Sequence, residues 1–198
     1  DRSTLCDLAI GALMHDFGKV FIDREVLAKT EALTPEEVEL VKQHAQLGYE
    51  AVREIFGPGT LSNHVPFQHH ERQDGLGYPR GLKGNNQMLN PFHRAGPEYI
   101  LPIAQVASIA DVYDALNSDR PTRPALPSDV LAELLATLAG SSLNAALVAR
   151  FLSVMQLYPP GAEVVLLGHP EVERCTGVVA RAGMADRDRP VVRVLYNG

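Results

Sequence analysis

The sequence has no tryptophan, only two cysteines and few aromatic residues, which make up 6% of its 198 residues. Cys6 and Cys175 lie far apart, so they indicate reduced thiols of a cytosolic protein rather than a disulfide framework or a thiolate metal site. No apolar run approaches the roughly 20 residues that cross a bilayer. The most apolar region, residues 130–155, is interrupted by Glu133 and Arg150. We therefore expect no membrane segment in this chain.

Positive charge is also in deficit, because the formal net charge is −6. This balance argues against a broad surface for a nucleic-acid polymer, although a few local cations could still grip a phosphate. The chain is long enough to bury a core, and its hydrophobic fraction of 45% suits a helical globular protein. It begins at Asp1 without a methionine, so we expect a piece of a longer protein.

Apolar residues recur at helical spacing over most of the chain. The pattern predicts helices at about 4–16, 34–56, 60–70, 98–117, 127–140 and 143–156. The first helix is expected to end at Gly18. The second begins with a capping threonine and a proline, and it is expected to bury Val38, Val41, Ala45, Val52 and Ile55.

The last 40 residues have a different pattern. After the turn at 158–161, β-branched runs at 163–167, 176–180 and 191–195 predict short strands. The expected fold class is all-α with a small C-terminal β appendage, divided into a helical domain at 1–157 and a β-rich extension at 158–198.

Nitrogen and oxygen donors recur at predicted helix ends and on apolar faces. The candidate metal ligands are His15, Asp16, His44, His69, His70 and Asp111. Each residue alone has an ordinary structural explanation, which we prefer for His64, His93 and His169. Histidine and carboxylate donors without cysteine suit iron, manganese, nickel or zinc. Six donors exceed what one catalytic ion takes, which favours two ions bridged by a carboxylate.

Two further observations support phosphate chemistry. Asp111 and Asp114 continue the face of Ile103, Val106, Ala107 and Ala110, the predicted inner face of helix 98–117, and buried carboxylates need a cation. Lys19, Arg120 and Arg123 supply cations that could bind phosphate oxygens, although a solvated charged loop would explain them too. A two-metal centre activates water and stabilises charge on a phosphoryl group.

The order of these residues resembles the HD-GYP subfamily of HD-domain phosphohydrolases. The matching motifs are His15-Asp16-x-Gly18-Lys19, His44-x-x-x-Gly48-Tyr49, His69-His70-Glu71-x-x-Asp74-Gly75-x-Gly77-Tyr78-Pro79, Asp111-x-x-Asp114-Ala115-Leu116 and Asp119-Arg120-Pro121. The resemblance covers about residues 4–157. It implies an all-helical HD fold, two or three divalent metals (commonly iron or manganese), and hydrolysis of the bacterial second messenger cyclic di-GMP to pGpG, GMP or both.

The resemblance also implies roles for individual residues. The six candidate ligands match the family's metal ligands, with Asp16 as the bridge and with Asp16, Lys19 and Asp111 in catalysis. Substrate contacts would come from Lys19, Tyr78, Arg120 and Arg123. The loop Gly77-Tyr78-Pro79 is associated with the shape of the substrate site and with docking of GGDEF-type cyclase domains. A homodimer in the bacterial cytoplasm is also expected.

Three departures from the family pattern keep other readings open. Members of the family often have a further metal ligand on a helix that would lie before the start of this chain. Thr122 stands where tyrosine is usual, and the link at residues 85–99 is longer than usual. We expect that link to be a surface loop rather than a lid. One alternative is a regulatory module that binds nucleotide or a cyclase domain without useful turnover. Another is the same chemistry on a different cyclic dinucleotide, such as cyclic GMP-AMP.

Overall fold

The computed structural model describes residues 1–87, 99–119, 123–168, 170–183 and 189–195. Its α-helices are α1 (Arg2–Leu13), α2 (Arg24–Leu27), α3 (Pro35–Lys42), α4 (His44–Phe56), α5 (His64–Gln68), α6 (Pro102–Asn117), α7 (Ser128–Leu138) and α8 (Ala145–Val154). Two 3₁₀ helices span Phe17–Phe21 and Leu61–Asn63. Strands β1 (Glu163–Val165), β2 (Thr176–Arg181) and β3 (Val191–Leu195) form an antiparallel sheet in that order. The predicted fold class is confirmed, while the domain boundary stays a prediction.

The predicted helix start at Thr34 is present as a capping box. The Thr34 hydroxyl accepts from the Glu37 amide at 3.3 Å, and the Glu37 carboxylate accepts from the Thr34 amide at 2.7 Å. The single helix predicted to run to residue 56 is wrong, because α3 ends at Lys42 and α4 begins at His44. Val38 is 36% exposed and Ile55 is 58% exposed, so neither is the core residue that was predicted.

The first helix also differs from its prediction, because α1 ends at Leu13 and leaves His15 and Asp16 in the turn that follows. Gly18 does not end this helix, since it lies inside the first 3₁₀ helix. A Cβ atom at Gly18 would come within 1.9 Å of the carbonyl oxygen of His44. Glycine is therefore required here because two backbone segments pass against each other, and this approach brings residues 15–19 beside α4.

Helix α6 lies between two parts of the helical core. Toward α1 and α5 it buries Ile103 and Ala107 against Val65. Toward α7 and α8 the core consists of Ile109, Leu131, Leu135, Leu143, Val148 and Met155. The predicted inner face of α6 was only half right. Val106, Ala110 and Asp114 are exposed, because they follow one another at i+4 along a row that faces solvent.

A buried network of side-chain amides ties the segment after α5 to the rest of the bundle. Gln73 donates to the Gln105 carbonyl oxygen at 3.1 Å, and Asn144 donates to the same oxygen at 2.7 Å. The amide of Gln105 in turn donates to the Ile100 carbonyl at 2.8 Å. These groups are buried and mutually satisfied, so they fix the segment against α6 and the start of α8.

Two sequence predictions fall on parts of the chain that lie outside the described residues. One is the role of the long 85–99 link, most of which is not described, and the other concerns Arg120, Pro121 and Thr122.

Within the described ranges, none of the helices has the length and apolar character needed to cross a membrane.

Candidate metal centre

The carboxylate of Asp16 is the point at which histidines from three elements converge. The Nε2 atom of His15, which follows α1, lies 3.3 Å from Asp16 Oδ2. The Nε2 atoms of His44, which begins α4, and His69, which follows α5, lie 3.5 and 3.9 Å from Asp16 Oδ1. The two carboxylate oxygens thus face different histidines, so each oxygen is placed where it could bind a separate ion.

The remaining predicted ligands lie beside this group. His70 joins Asp16, His44 and His69 in a cluster whose ligand atoms all lie within 4.8 Å of one another. On α6, Asp111 places Oδ1 3.5 Å from Nε2 of His15. The structure therefore brings together all six residues that the sequence singled out.

The histidines are oriented by the backbone of the elements that carry them. The Nδ1 atom of His44 lies 2.6 Å from the Val41 carbonyl oxygen, and that of His69 lies 2.9 Å from the Pro66 carbonyl oxygen. A carbonyl can only accept, so each Nδ1 must carry the proton. The Nε2 lone pairs are consequently directed toward Asp16, and such carbonyl partners are typical of metal-binding histidines.

Burial keeps three of the imidazoles neutral. It lowers the pKa of His44, and together with the neighbouring histidines it lowers the pKa of His69 to about 4 and that of His70 to about 3. Neutral imidazole is the form that binds a metal.

His15 behaves in the opposite way because it contacts carboxylates directly. Hydrogen bonds to Asp111 and Asp16 raise the pKa of His15 to about 10. Burial alone would raise the pKa of Asp16, but His15 and Lys19 outweigh it and hold the Asp16 pKa well below its usual range. Burial likewise opposes ionisation of Asp111, yet contact with His15 lowers the Asp111 pKa. The carboxylates are thus ionised, and together with the three neutral imidazoles of His44, His69 and His70 they form a donor set compatible with a divalent metal ion.

The three predicted phosphate-binding cations are placed differently. Lys19 lies at the site, with its ammonium 2.5 Å from Asp16 Oδ2. Arg123 donates from Nη2 to the Ala115 carbonyl at 2.6 Å and from Nη1 to the Pro124 carbonyl at 3.2 Å, so its guanidinium lies over the C-terminal end of α6. Arg120 lies outside the described residues.

The loop Gly77-Tyr78-Pro79 packs directly on a candidate ligand. The ring of Tyr78 stacks on that of His70, with centroids 4.6 Å apart and planes inclined by 26°. The Tyr78 amide also donates to the His70 carbonyl at 3.2 Å. This close return of the chain requires glycine at position 77, where a Cβ atom would lie 2.5 Å from the His70 carbonyl oxygen.

Glu71 holds this loop in place, a role that the sequence did not reveal. Its carboxylate is buried, at 3% exposure, and accepts from the amides of Arg80 at 2.8 Å and Leu82 at 2.7 Å. The available signal was a carboxylate directly after two histidines at the end of a predicted helix. Burial of that charge is tolerated because both oxygens accept hydrogen bonds.

A cavity of about 430 Å³ opens beside the candidate ligands. His69, His70 and Asp111 contribute to its wall, and Tyr78 and Lys42 line it as well. A concave site with convergent polar groups and perturbed pKa values is the usual form of an active site.

Comparison with known families gives the site its context. A family model described as the HD domain matches residues 1–147. The chain belongs to the HD-domain family. An HDG"Y"P protein from Bdellovibrio bacteriovorus has a similar fold, with a TM-score of 0.53 and 22% identity over 75% of this chain and 42% of that one. The predicted resemblance to HD-GYP proteins is confirmed.

Curated relatives of this HD-domain chain carry enzyme names. It is 33% identical to the "Cyclic di-GMP phosphodiesterase" of Thermotoga maritima over 75% of this chain and 37% of that protein. It is 32% identical to the "3'3'-cGAMP-specific phosphodiesterase 3" of Vibrio cholerae over 60% of this chain and 23% of that protein. The chain therefore spans well under half the length of these relatives.

Proposed function

We propose that this HD-domain protein is a metal-dependent phosphodiesterase that hydrolyses cyclic di-GMP to pGpG, GMP or both. The observation that carries the proposal is Asp16, whose two oxygens face histidines from separate elements. The candidate ligands His69, His70 and Asp111 beside it line a cavity. The name of the Thermotoga maritima relative supports the choice of substrate.

The centre would hold two divalent ions, iron or manganese in preference to nickel or zinc. Its ligands would be His15, Asp16, His44, His69, His70 and Asp111, with Asp16 as the bridge. A third ion would require a ligand beyond these six. When bound, the ions would supply Lewis-acid activation of water and neutralise negative charge on the phosphoryl group.

The chain's own residues would bind and orient the phosphodiester. Lys19 would place a positive charge beside Asp16, where the attacked phosphate must lie, and Asp111 would hold His15 in position. Tyr78 would shape the substrate site from its position against His70. Arg120 and Arg123 would grip phosphate oxygens, and Arg123 would first have to release the carbonyls at the end of α6.

Hydrolysis of cyclic di-GMP by protein loaded with manganese or iron tests the proposal. We expect linear product from wild-type protein, and none from His70→Ala together with reduced metal content. Retention of metal by the wild type without any product would refute the enzymatic function. Such a result, combined with nucleotide binding in calorimetry, would instead support the regulatory alternative.

A second candidate substrate is 3',3'-cyclic GMP-AMP, favoured by the name of the Vibrio cholerae relative. The metal centre would contact only the phosphate, whereas discrimination between guanine and adenine bases would depend on the shape of the cavity. Parallel assays of the two cyclic dinucleotides distinguish the candidates through their relative kcat/KM values.

We also propose GGDEF-type cyclase domains as partners of the Gly77-Tyr78-Pro79 loop. Leu76, beside this loop, is 79% exposed and offers an apolar contact. Loss of cyclase binding in Leu76→Asp would support this docking surface, and unchanged binding would refute it.

A homodimer, a cytoplasmic location and the division between residues 157 and 158 are further proposals. Light scattering tests the dimer, and expression of 1–157 alone tests the division.

A further inference from the structure

Lys42, the last residue of α3, is a cation at the cavity with no role so far. It lines the same cavity as His70 and Asp111. Its ammonium lies 5.6 Å from the centroid of the Tyr78 ring, which itself stacks on His70. The positive charge and the candidate ligand His70 therefore lie against the same aromatic ring, and the ring face helps to hold the charge there.

The present partner of Lys42 would be easy to replace. The ammonium lies 2.6 Å from the Glu39 carboxylate, but the two side chains are 37% and 68% exposed. Exposed ion pairs of this kind contribute little to stability, so exchange for another anion costs little. The other described cation of the cavity wall, Arg72, differs because it binds both oxygens of Asp74, at 3.0 and 2.6 Å.

We propose that Lys42 is a substrate-binding residue that takes the second phosphate of the cyclic dinucleotide, the one not attacked at the metal centre. The inference rests on the proposed function. A cyclic dinucleotide carries two phosphodiesters in one ring. When one lies at the ligands, the other must lie elsewhere in the same cavity, and Lys42 supplies a charge there. A lysine suits this task, because its ammonium is a point charge on a flexible stem that needs no fixed orientation.

The test compares two substrates that differ in their number of phosphates. Cyclic di-GMP has two, whereas bis(p-nitrophenyl) phosphate has one. In Lys42→Met, the KM for cyclic di-GMP should rise roughly tenfold to a hundredfold, as expected for loss of one charge-assisted contact, with kcat within about twofold. Turnover of bis(p-nitrophenyl) phosphate should not change. The increase in KM should shrink at high salt because the contact is solvent-accessible.

Two further variants separate binding from structure. Lys42→Arg should restore most of the affinity because it keeps the charge. Lys29→Met serves as the matched control, since Lys29 pairs with Glu37 at 2.7 Å and does not line the cavity. It should leave the KM unchanged.

An unchanged KM in Lys42→Met, or an equal loss with both substrates, would overturn the inference. Calorimetry of cyclic di-GMP with the metal-loaded proteins gives an independent measurement. If the wild type binds the nucleotide without hydrolysing it, the proposed function fails, yet a weaker Kd in Lys42→Met would still support the role of Lys42. An equal Kd would refute it.

Discussion

The Tyr78 ring lies on the His70 imidazole, with centroids 4.6 Å apart. This contact joins the loop that carries Tyr78 to the cluster of candidate ligands. The Tyr78 amide also donates to the His70 carbonyl, so a displacement of the loop would disturb the position of His70. Changes that displace the loop should therefore alter chemistry at the centre, even where they leave all six candidate ligands in place.

Glu71→Gln is the first such change. An amide in place of the carboxylate removes the charge that two backbone amides now contact, and its NH₂ group would face a donor. We expect the free energy of unfolding to fall by about 2–3 kcal/mol. We also expect kcat/KM for cyclic di-GMP to fall about tenfold or more, because Tyr78 and His70 lose their fixed arrangement. Urea denaturation and steady-state kinetics measure the two effects.

Glu31→Gln is the control for Glu71→Gln, since Glu31 is exposed and its replacement should change neither quantity. Metal content supplies a further readout. If Glu71→Gln lost stability but kept wild-type kinetics and metal affinity, Glu71 would support the fold without positioning the site.

Gly77→Ala tests the close return of the loop. The added methyl group would lie 2.5 Å from the His70 carbonyl oxygen and 2.5 Å from the Arg72 nitrogen. Both are backbone atoms, so the loop must shift. We expect kcat/KM to fall at least tenfold as Tyr78 leaves His70, with the helical circular-dichroism signal retained.

Gly59→Ala is the matched control for Gly77→Ala, because it strains the backbone conformation without creating a steric clash. Gly59 has a φ of +88° but nothing within 4 Å of an added Cβ. The change should cost about 1–2 kcal/mol of stability through backbone strain and leave kinetics intact. Equal kinetic losses in both variants would contradict the role assigned to Gly77.

The spatial grouping of the six candidate ligands could be predicted from the sequence, because the capacity to bind a metal depends on residue type. His44 and Asp111 stood out because polar groups on apolar helix faces need partners, and the histidine pair at 69–70 ended a helix. The fold class could likewise be predicted, because the spacing of apolar residues along the chain differs between helices and strands. The three short strands were predicted to within two residues at their ends.

What the sequence missed depends on how separate segments approach one another. Gly18 was predicted to end a helix, whereas it allows two backbones to meet, and periodicity contains no information about that contact. Glu71 and Lys42 acquire their roles from the path of a loop and from the wall of a cavity. The phosphate-binding role of Arg123 stays a prediction. The contacts of its guanidinium with backbone carbonyls were not foreseen, because they depend on where α6 ends.

Arg123→Met tests both contacts considered for the Arg123 guanidinium, the backbone carbonyls and the substrate phosphate. Loss of its hydrogen bonds to the carbonyls of Ala115 and Pro124 should lower the free energy of unfolding by about 1–2 kcal/mol. If the guanidinium also reaches a phosphate in the complex, Arg123→Met should raise the KM for cyclic di-GMP about tenfold. Arg123→Lys should restore only part of the lost stability, because lysine cannot reproduce the paired hydrogen bonds of the guanidinium. A loss of stability with an unchanged KM would remove Arg123 from the substrate site.

His64 provides a pH dependence that does not involve the candidate metal ligands. Its ring lies 5.5 Å from that of Tyr49, and its Nδ1 atom is buried without a hydrogen-bond partner among the described residues. Burial, and then Arg80, lower the His64 pKa. The unfolded chain, in which the pKa is about 6.5, therefore binds a proton more readily than the folded protein. Hence this histidine makes the protein less stable as the pH falls below about 6.5.

His64→Phe should abolish that contribution while keeping an aromatic ring against Tyr49. Relative to wild type, the variant should gain up to about 1.4 kcal/mol in free energy of unfolding per pH unit below about 6.5, less to the extent that solvent reaches the ring. Urea denaturation at pH 7.5, 6 and 5, at one fixed metal content, measures the difference. Tyr49→Phe keeps the titrating imidazole and should follow the wild-type pH dependence. A difference between His64→Phe and wild type that stayed constant across this range would show that His64 is protonated as readily in the folded protein as in the unfolded chain.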